Sequence, residues 1–169
     1  MSEVSQGSSL FPRRTRCRLT DAPLQTIMDL GHQSLTGVFP KSPEDKVSVS
    51  PLELAFCEES GLVQLHHDYP GELMYGETYG YRSGLNASMV RHLEAKIYDL
   101  EKRVRPLGSG DVVLDIGAND ATSLKAYKTP GIERIGIDPS AEKFRRFYTD
   151  DIALKVDFFN EETYRAATG

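Results

Sequence analysis

Tryptophan is absent, cysteine occurs only twice, and no apolar run approaches the ~20 residues needed to span a bilayer. The opening MSEVSQGSS lacks the apolar middle of a secretory signal, so a cytosolic location is expected. Cys17 and Cys57 are not expected to be bridged in that reducing compartment. A basic excess is also missing. Twenty Lys and Arg stand against 25 Asp and Glu, a net charge of -5, which gives the chain no general attraction to nucleic acid or to an anionic membrane. The one local exception, RRTRCR at 13–18, is read as a solvated arm. Internal repeats and low-complexity tracts are absent. What is present is ordinary globular composition, 39% apolar and 27% charged over 169 residues, enough for one domain or two small ones.

The order of segments predicts four regions. Residues 1–12 form a flexible terminus. Residues 13–70 form a small β-rich module built from LQTIMDLGHQSL, VSVSPLELAFC and GLVQLHH, with Pro51 at a strand edge. Its core is thin, and modules of this size commonly need a metal or a docking partner. Residues 71–110 hold an aromatic, Gly-rich link and then a helix, in which Leu85, Met89, Leu93, Ile97, Leu100 and Val104 lay one apolar stripe toward a core. Ser83 or Asn86 caps its start, and Pro106 and Gly108 end it. Over 111–169 the pattern becomes strand (VVLDI, 112–116), short helix (ATSLKAY), strand (IERIGID, 132–138), helix (AEKFRRFY) and strand (IALKVDF, 152–158). Alternation of this kind implies a parallel sheet. The fold class is therefore α/β, with three β-α units making half of a doubly wound, Rossmann-like sheet after a β-rich module.

A strand carboxylate followed by a Gly turn into a helix places a cleft and backbone N–H groups at the carboxyl edge of such a sheet, where open α/β sheets bind ligands. Dinucleotide enzymes use G-x-G-x-x-G there, because a pyrophosphate must approach bare backbone. This chain has Gly117, then Asn119, then Ala121, which disfavours a nicotinamide cofactor. S-adenosylmethionine carries an ammonium and a positive sulfonium, so Asp115 is useful beside the turn where it would repel a pyrophosphate. Asp138, at the end of the second strand, suits ribose hydroxyls, and Asp157, closing the third, suits an adenine amino group. The expected cofactor site is thus Asp115, Gly117, Asn119, Asp138 and Asp157. Asp120 and Asp150 are read as caps, and His92 as solvated.

GLVQL (61–65), MYGETYGYRSGLNASMVRHL (74–93) and VLDIGANDATSLKAY (113–127) together resemble the amino-terminal part of the S-adenosylmethionine-dependent sugar C-methyltransferases, which methylate a ring carbon of a nucleotide-linked ketosugar. The resemblance implies a small zinc module ahead of the methyltransferase sheet, a nucleotide-linked sugar as partner, and a catalytic base in a later Glu-His motif beyond residue 169. It leaves the catalytic residues of this stretch unassigned. Tyr79 and Tyr81 are candidate contributors beside the sugar, Tyr75 is read as packing, and Arg82 faces either an anionic group of a ligand or a surface carboxylate. In the family two Cys-x-x-Cys knuckles hold the zinc. Here they read Cys17-Arg18-Leu19-Thr20 and Cys57-Glu58-Glu59-Ser60, and His32, His66 and His67 do not sit at knuckle spacing. The expectation is a metal-free module whose two turns still face one another. Two other readings stand beside a fragment of a methyltransferase: a truncated, non-catalytic binding module, and a different Rossmann enzyme that uses NAD.

Overall fold

The structure, a computed structural model, describes residues 10–35, 40–76 and 79–168. The chain divides into two compact units, Met1–Gly80 and Tyr81–Gly169. Most of the flexible terminus expected over 1–12 lies outside the described residues; of its last part, Pro12 is tied down, its carbonyl accepting from the Asp68 N–H at 3.0 Å. Among the described residues, no helix is long and apolar enough to cross a membrane.

The first unit is built on an antiparallel sheet in the order β1 (Gln25–Ser34), β2 (Val49–Phe56) and β3 (Val63–Leu65). Two irregularities interrupt the β1–β2 register. In the second, Gly31 takes a left-handed φ of +65° while its N–H donates to Asp29 Oδ1 at 2.8 Å. β3 pairs only with Leu54–Phe56, so Pro51 lies beyond that ladder, where its carbonyl accepts from the Tyr69 hydroxyl. The arginines of the basic run 13–18 are solvent-exposed as expected, but the run is not a free arm. Arg13 and Arg16 form isolated β-bridges with His67 and Pro23, Arg13 pairs with Glu53 at 3.1 Å, Arg14 with Asp68 at 2.7 Å, and Arg18 also with Asp68. The acids of β2 and of the segment after β3 supply the countercharge that the local sequence lacks. A short helix, α1 (Gly71–Tyr75), follows within what sequence marked as a link.

The second unit opens with α2 (Ala87–Arg103). Asn86 Oδ1 accepts from the Ser88 N–H at 2.9 Å, the cap that sequence offered as one of two choices. There follow β4 (Val112–Ile116), α3 (Thr122–Ala126), β5 (Glu133–Ile137), a 3-10 segment at Ala141–Phe147, β6 (Ile152–Lys155) and α4 (Glu161–Thr168). The sheet is parallel in the order β4-β5-β6, with Val112 opposite Glu133 and Asp115 opposite Gly136. Gly136 is required at its position: a Cβ there would stand 2.8 Å from Ala118 Cβ, 3.2 Å from the Tyr148 hydroxyl and 3.3 Å from Leu124 Cδ1. The core of this unit, Ala118, Ala121, Leu124 and Ile152 with Val113 and Tyr148 packed against it, lies over that bare backbone.

Four differences from the expected elements stand out. The α2 stripe is not a core stripe: Ile97 is its one buried member, while Leu85 and Val104 are 75% and 76% exposed, because α2 packs chiefly on the five-residue α3. The second helix is 3-10, a seven-residue piece held at its start by Asp138, whose Oδ1 accepts from the Ser140 N–H and hydroxyl. The third strand stops at Lys155, so Asp157 lies in a bend beyond it rather than at its end. The helix α4 was not anticipated, although Asn160 followed by two glutamates is a start signal; Asn160 Oδ1 accepts from the Thr163 N–H, and Thr163 Oγ1 from the Asn160 N–H, each at 2.9 Å.

Candidate functional site

The turn between β4 and α3 holds three left-handed residues in alternation, Gly117, Asn119 and Ala121, at φ of +76°, +50° and +60°. Only glycine adopts this freely, asparagine tolerates it, and alanine does so at a cost of roughly 1–2 kcal/mol. Sequence suggested that Asn119 and Ala121 fit there because no pyrophosphate has to approach. The conformation that glycines would supply is nevertheless kept at all three positions, and surrounding bonds impose it. The Gly117 N–H donates to the Ile137 carbonyl at 2.8 Å, the Ala121 N–H to the Ala118 carbonyl at 2.9 Å, and the Tyr148 hydroxyl to the Asn119 carbonyl at 3.0 Å.

The acids around this turn fall into distinct environments. Asp138 is buried, and its carboxylate accepts three bonds: the Asn119 N–H at 2.8 Å on Oδ2, and the Ser140 N–H and hydroxyl at 2.6 and 2.7 Å on Oδ1. One acceptor position, on Oδ2, is left over. Asp120 is more deeply committed. It accepts from the Gly84 N–H at 2.9 Å and from both the N–H and the hydroxyl of Thr122, and it faces Arg82 at 3.7 Å. The Arg82 guanidinium lies 4.3 Å above the Phe147 ring. Arg82 is thus occupied by a buried carboxylate and an aromatic face. Asp120 does more than cap α3: it joins the 82–84 segment to the turn, and a Cβ on Gly84 would come within 2.5 Å of its Oδ2.

Asp115 stands apart. It is the next-to-last residue of β4, half-buried, and among the described residues no donor bonds its carboxylate. Burial, and then the charge of Asp138, raise its pKa above the ordinary value, against a smaller opposing pull from Lys96. Asp115 and Asp138 therefore lie within electrostatic reach of one another toward the carboxyl edge of adjacent parallel strands. Tyr148 packs against the core beneath the turn: burial, then Asp138, Asp115 and Asp120 in turn, push the phenol pKa well up, so the hydroxyl stays a neutral donor. Sequence reasoning missed Tyr148, which the FRRFY run presents as one more helical residue.

The remaining expected site residues divide as follows. The Asn119 side chain is spent on the backbone, with Nδ2 donating to the Tyr81 carbonyl at 3.0 Å and Oδ1 accepting from the Ser83 N–H at 2.9 Å, so it fixes the segment beside the turn. Asp157 is exposed and accepts from the Phe158 N–H at 2.8 Å. Tyr81 belongs to the unit of the turn. Tyr79 belongs to the first unit, where its ring meets Tyr75 edge-on at 5.5 Å.

In the first unit the two knuckle turns do face one another. Cys17 Sγ and Ser60 Oγ are 3.3 Å apart, and Thr20 Oγ1 and Cys57 Sγ 3.7 Å. Both cysteines are buried and unbridged. Among the described residues, no three His, Cys, Asp or Glu side chains cluster as a metal ligand set. His66 is bonded to Thr26 Oγ1 at 2.9 Å and to the Arg14 carbonyl at 2.8 Å, and His67 faces Glu53.

Two comparisons with known proteins bear on these sites. Residues 17–75 match a methyltransferase-associated family model described as "Putative zinc binding domain". The chain is also 28% identical over 90 residues to the C-methyltransferase NovU of Streptomyces niveus, a match covering 53% of this chain and 21% of that protein. The chain thus matches about a fifth of the length of this curated relative. Both findings support the resemblance to the amino-terminal region of the sugar C-methyltransferases.

Proposed function

We propose that this chain carries the amino-terminal part of an S-adenosylmethionine-dependent C-methyltransferase acting on a nucleotide-linked ketosugar, and that Asp115 recognises the cationic amino-acid end of the methyl donor. The observation that carries this reading is the state of Asp115: a desolvated carboxylate at a strand end, beside a left-handed turn, with no donor among the described residues. An ammonium placed about 4 Å away would gain on the order of 4 kcal/mol at an effective dielectric near 20, and would relieve the repulsion from Asp138. A pyrophosphate in the same place would meet two carboxylates, which argues against a nicotinamide.

When bound, the donor supplies a methyl group made electrophilic by its sulfonium. The chain's own part is to hold and orient it. The backbone of 117–121 forms the floor, the remaining acceptor position of Asp138 suits a ribose hydroxyl, and Asp157 suits the adenine edge. Tyr148 keeps the floor rigid from below. Proton removal next to a keto group needs a base that none of the 169 residues is assigned to supply; Tyr79 and Tyr81 are proposed only as contributors on the sugar side.

Titration calorimetry with S-adenosylhomocysteine tests the reading. Binding should occur, and Asp115→Asn should weaken it by about tenfold or more, some 1.4 kcal/mol, with the circular dichroism spectrum unchanged. NADH should give no heat. Equal affinity in Asp115→Asn, or binding of NADH in place of the adenosyl compound, would reject it.

A further inference from the structure

We infer that the knuckle module of this chain folds without zinc, and that a lattice of thiol–hydroxyl hydrogen bonds among Cys17, Thr20, Cys57 and Ser60 occupies the place a metal would take. The backbone of the two turns is the starting point, because it is built twice in the same way. The N–H of Cys17 donates to the Ala22 carbonyl at 2.8 Å, and the N–H of Cys57 to the Leu62 carbonyl at 2.9 Å. Four residues after each cysteine the chain turns back, the Asp21 N–H donating to Cys17 O at 3.1 Å and the Gly61 N–H to Cys57 O at 2.9 Å. Those two residues are left-handed, at φ of +59° and +70°. The hydroxyl at the fourth position of each turn then accepts from the N–H two residues on, Ala22 to Thr20 at 3.5 Å and Leu62 to Ser60 at 3.3 Å. The pair has the local two-fold repetition of a four-ligand metal cradle.

The donor set does not fit zinc. Structural zinc takes four thiolate or imidazole ligands, and a neutral hydroxyl is a poor substitute at two of the four positions. No imidazole completes the set among the described residues, which hold no cluster of three ligating side chains, and both nitrogens of His66 are engaged by Thr26 and Arg14. The hydroxyls instead complement the thiols. Each side chain of one turn bonds the opposite kind on the other, sulfur to oxygen in both cases, Cys17 to Ser60 and Thr20 to Cys57. A thiol facing a thiol is a weak pair, and a hydroxyl supplies a better donor to sulfur. The unit has further means of closing without metal, in Arg13, Arg14 and Arg18 clamped to Glu53 and Asp68.

Metal analysis and melting of the full chain test this. After exposure to excess zinc and desalting, the natural sequence should retain far less than one zinc per chain, and EDTA should leave its melting temperature unchanged. Thr20→Cys with Ser60→Cys should acquire one zinc per chain, and cobalt in its place should show the thiolate charge-transfer and tetrahedral bands of a four-sulfur site; EDTA should then lower its melting temperature. Ser60→Ala alone should lower the melting temperature with or without EDTA. One zinc per chain in the natural sequence, or a melting temperature that falls with EDTA, would overturn the inference, and so would a folded double variant that ignores zinc. Should the double variant fail to fold, the natural chain's zinc content and the Ser60→Ala melt decide the matter.

Discussion

The two units handle their polar groups in opposite ways. In the first, each thiol and hydroxyl of the facing knuckles has a partner on the other turn. Cys17 illustrates the result: donation from Ser60 and then from the Leu19 N–H draws its thiol pKa below the ordinary value. In the second, Asp115 is an anion without such support, pushed the other way by burial and by Asp138. Closed hydrogen-bond sets are scaffold, and the hydroxyls of Thr20 and Ser60 make the facing knuckles one such set. An acid kept desolvated and unbonded destabilises its own fold, and such a residue is retained where a ligand completes it. The contrast also sorts the acids of the second unit, since Asp138 and Asp120 are largely closed and Asp115 is open.

The largest test of this sorting is Asp120→Ala. Removing a buried carboxylate leaves Arg82 without its countercharge and the Gly84 N–H without its acceptor. The expected loss is about 3–5 kcal/mol of stability, read as a lowered urea midpoint. A neutral result would place Asp120 with the open acids and break the division. Gly136→Ala comes next. Its new Cβ would press on Ala118 and Leu124 beneath the turn, and overpacking of this kind costs about 1–3 kcal/mol. Adenosyl-compound binding should fall along with it, because the floor of the proposed site moves; unchanged binding at a lowered midpoint would uncouple that floor from the turn.

Much of the scaffold was legible in sequence and rather less of the site. The β4 strand reads directly from VVLDI, since its apolar run is bounded by Gly110 and Gly117, whereas the facing of the two knuckles was implied by the family resemblance. The α2 stripe misled because periodicity reports which residues share a face and not whether anything covers that face. Asp157 misled because alternating apolar residues past Lys155 look like strand while the ladder to β5 has already ended. Asn119 was singled out correctly as a turn residue, yet its side chain reaches back 38 positions to Tyr81, and no local rule contains a partner so far away. Tyr148, Asp120 and Arg82 share that property, each owing its place to contacts between separate elements.

The smallest and sharpest effect concerns the pH dependence of Asp115. A carboxyl whose pKa is raised on folding binds its proton more tightly in the native state, so the native state is favoured at low pH and penalised once the group ionises. As pH rises from the unfolded carboxyl value through the raised folded one, the natural chain should lose stability, and above that window the penalty is constant. Asp115→Asn removes the titration. Its melting temperature should therefore equal or trail that of the natural chain in acid, overtake it across the window and hold a steady lead at neutral pH. Saturating S-adenosylhomocysteine should shrink or erase that lead by stabilising the natural chain more than the variant. A variant less stable at neutral pH would mean that Asp115 has a stabilising partner after all, and Asp115 would then join the closed acids, removing the observation on which the proposed cofactor site rests.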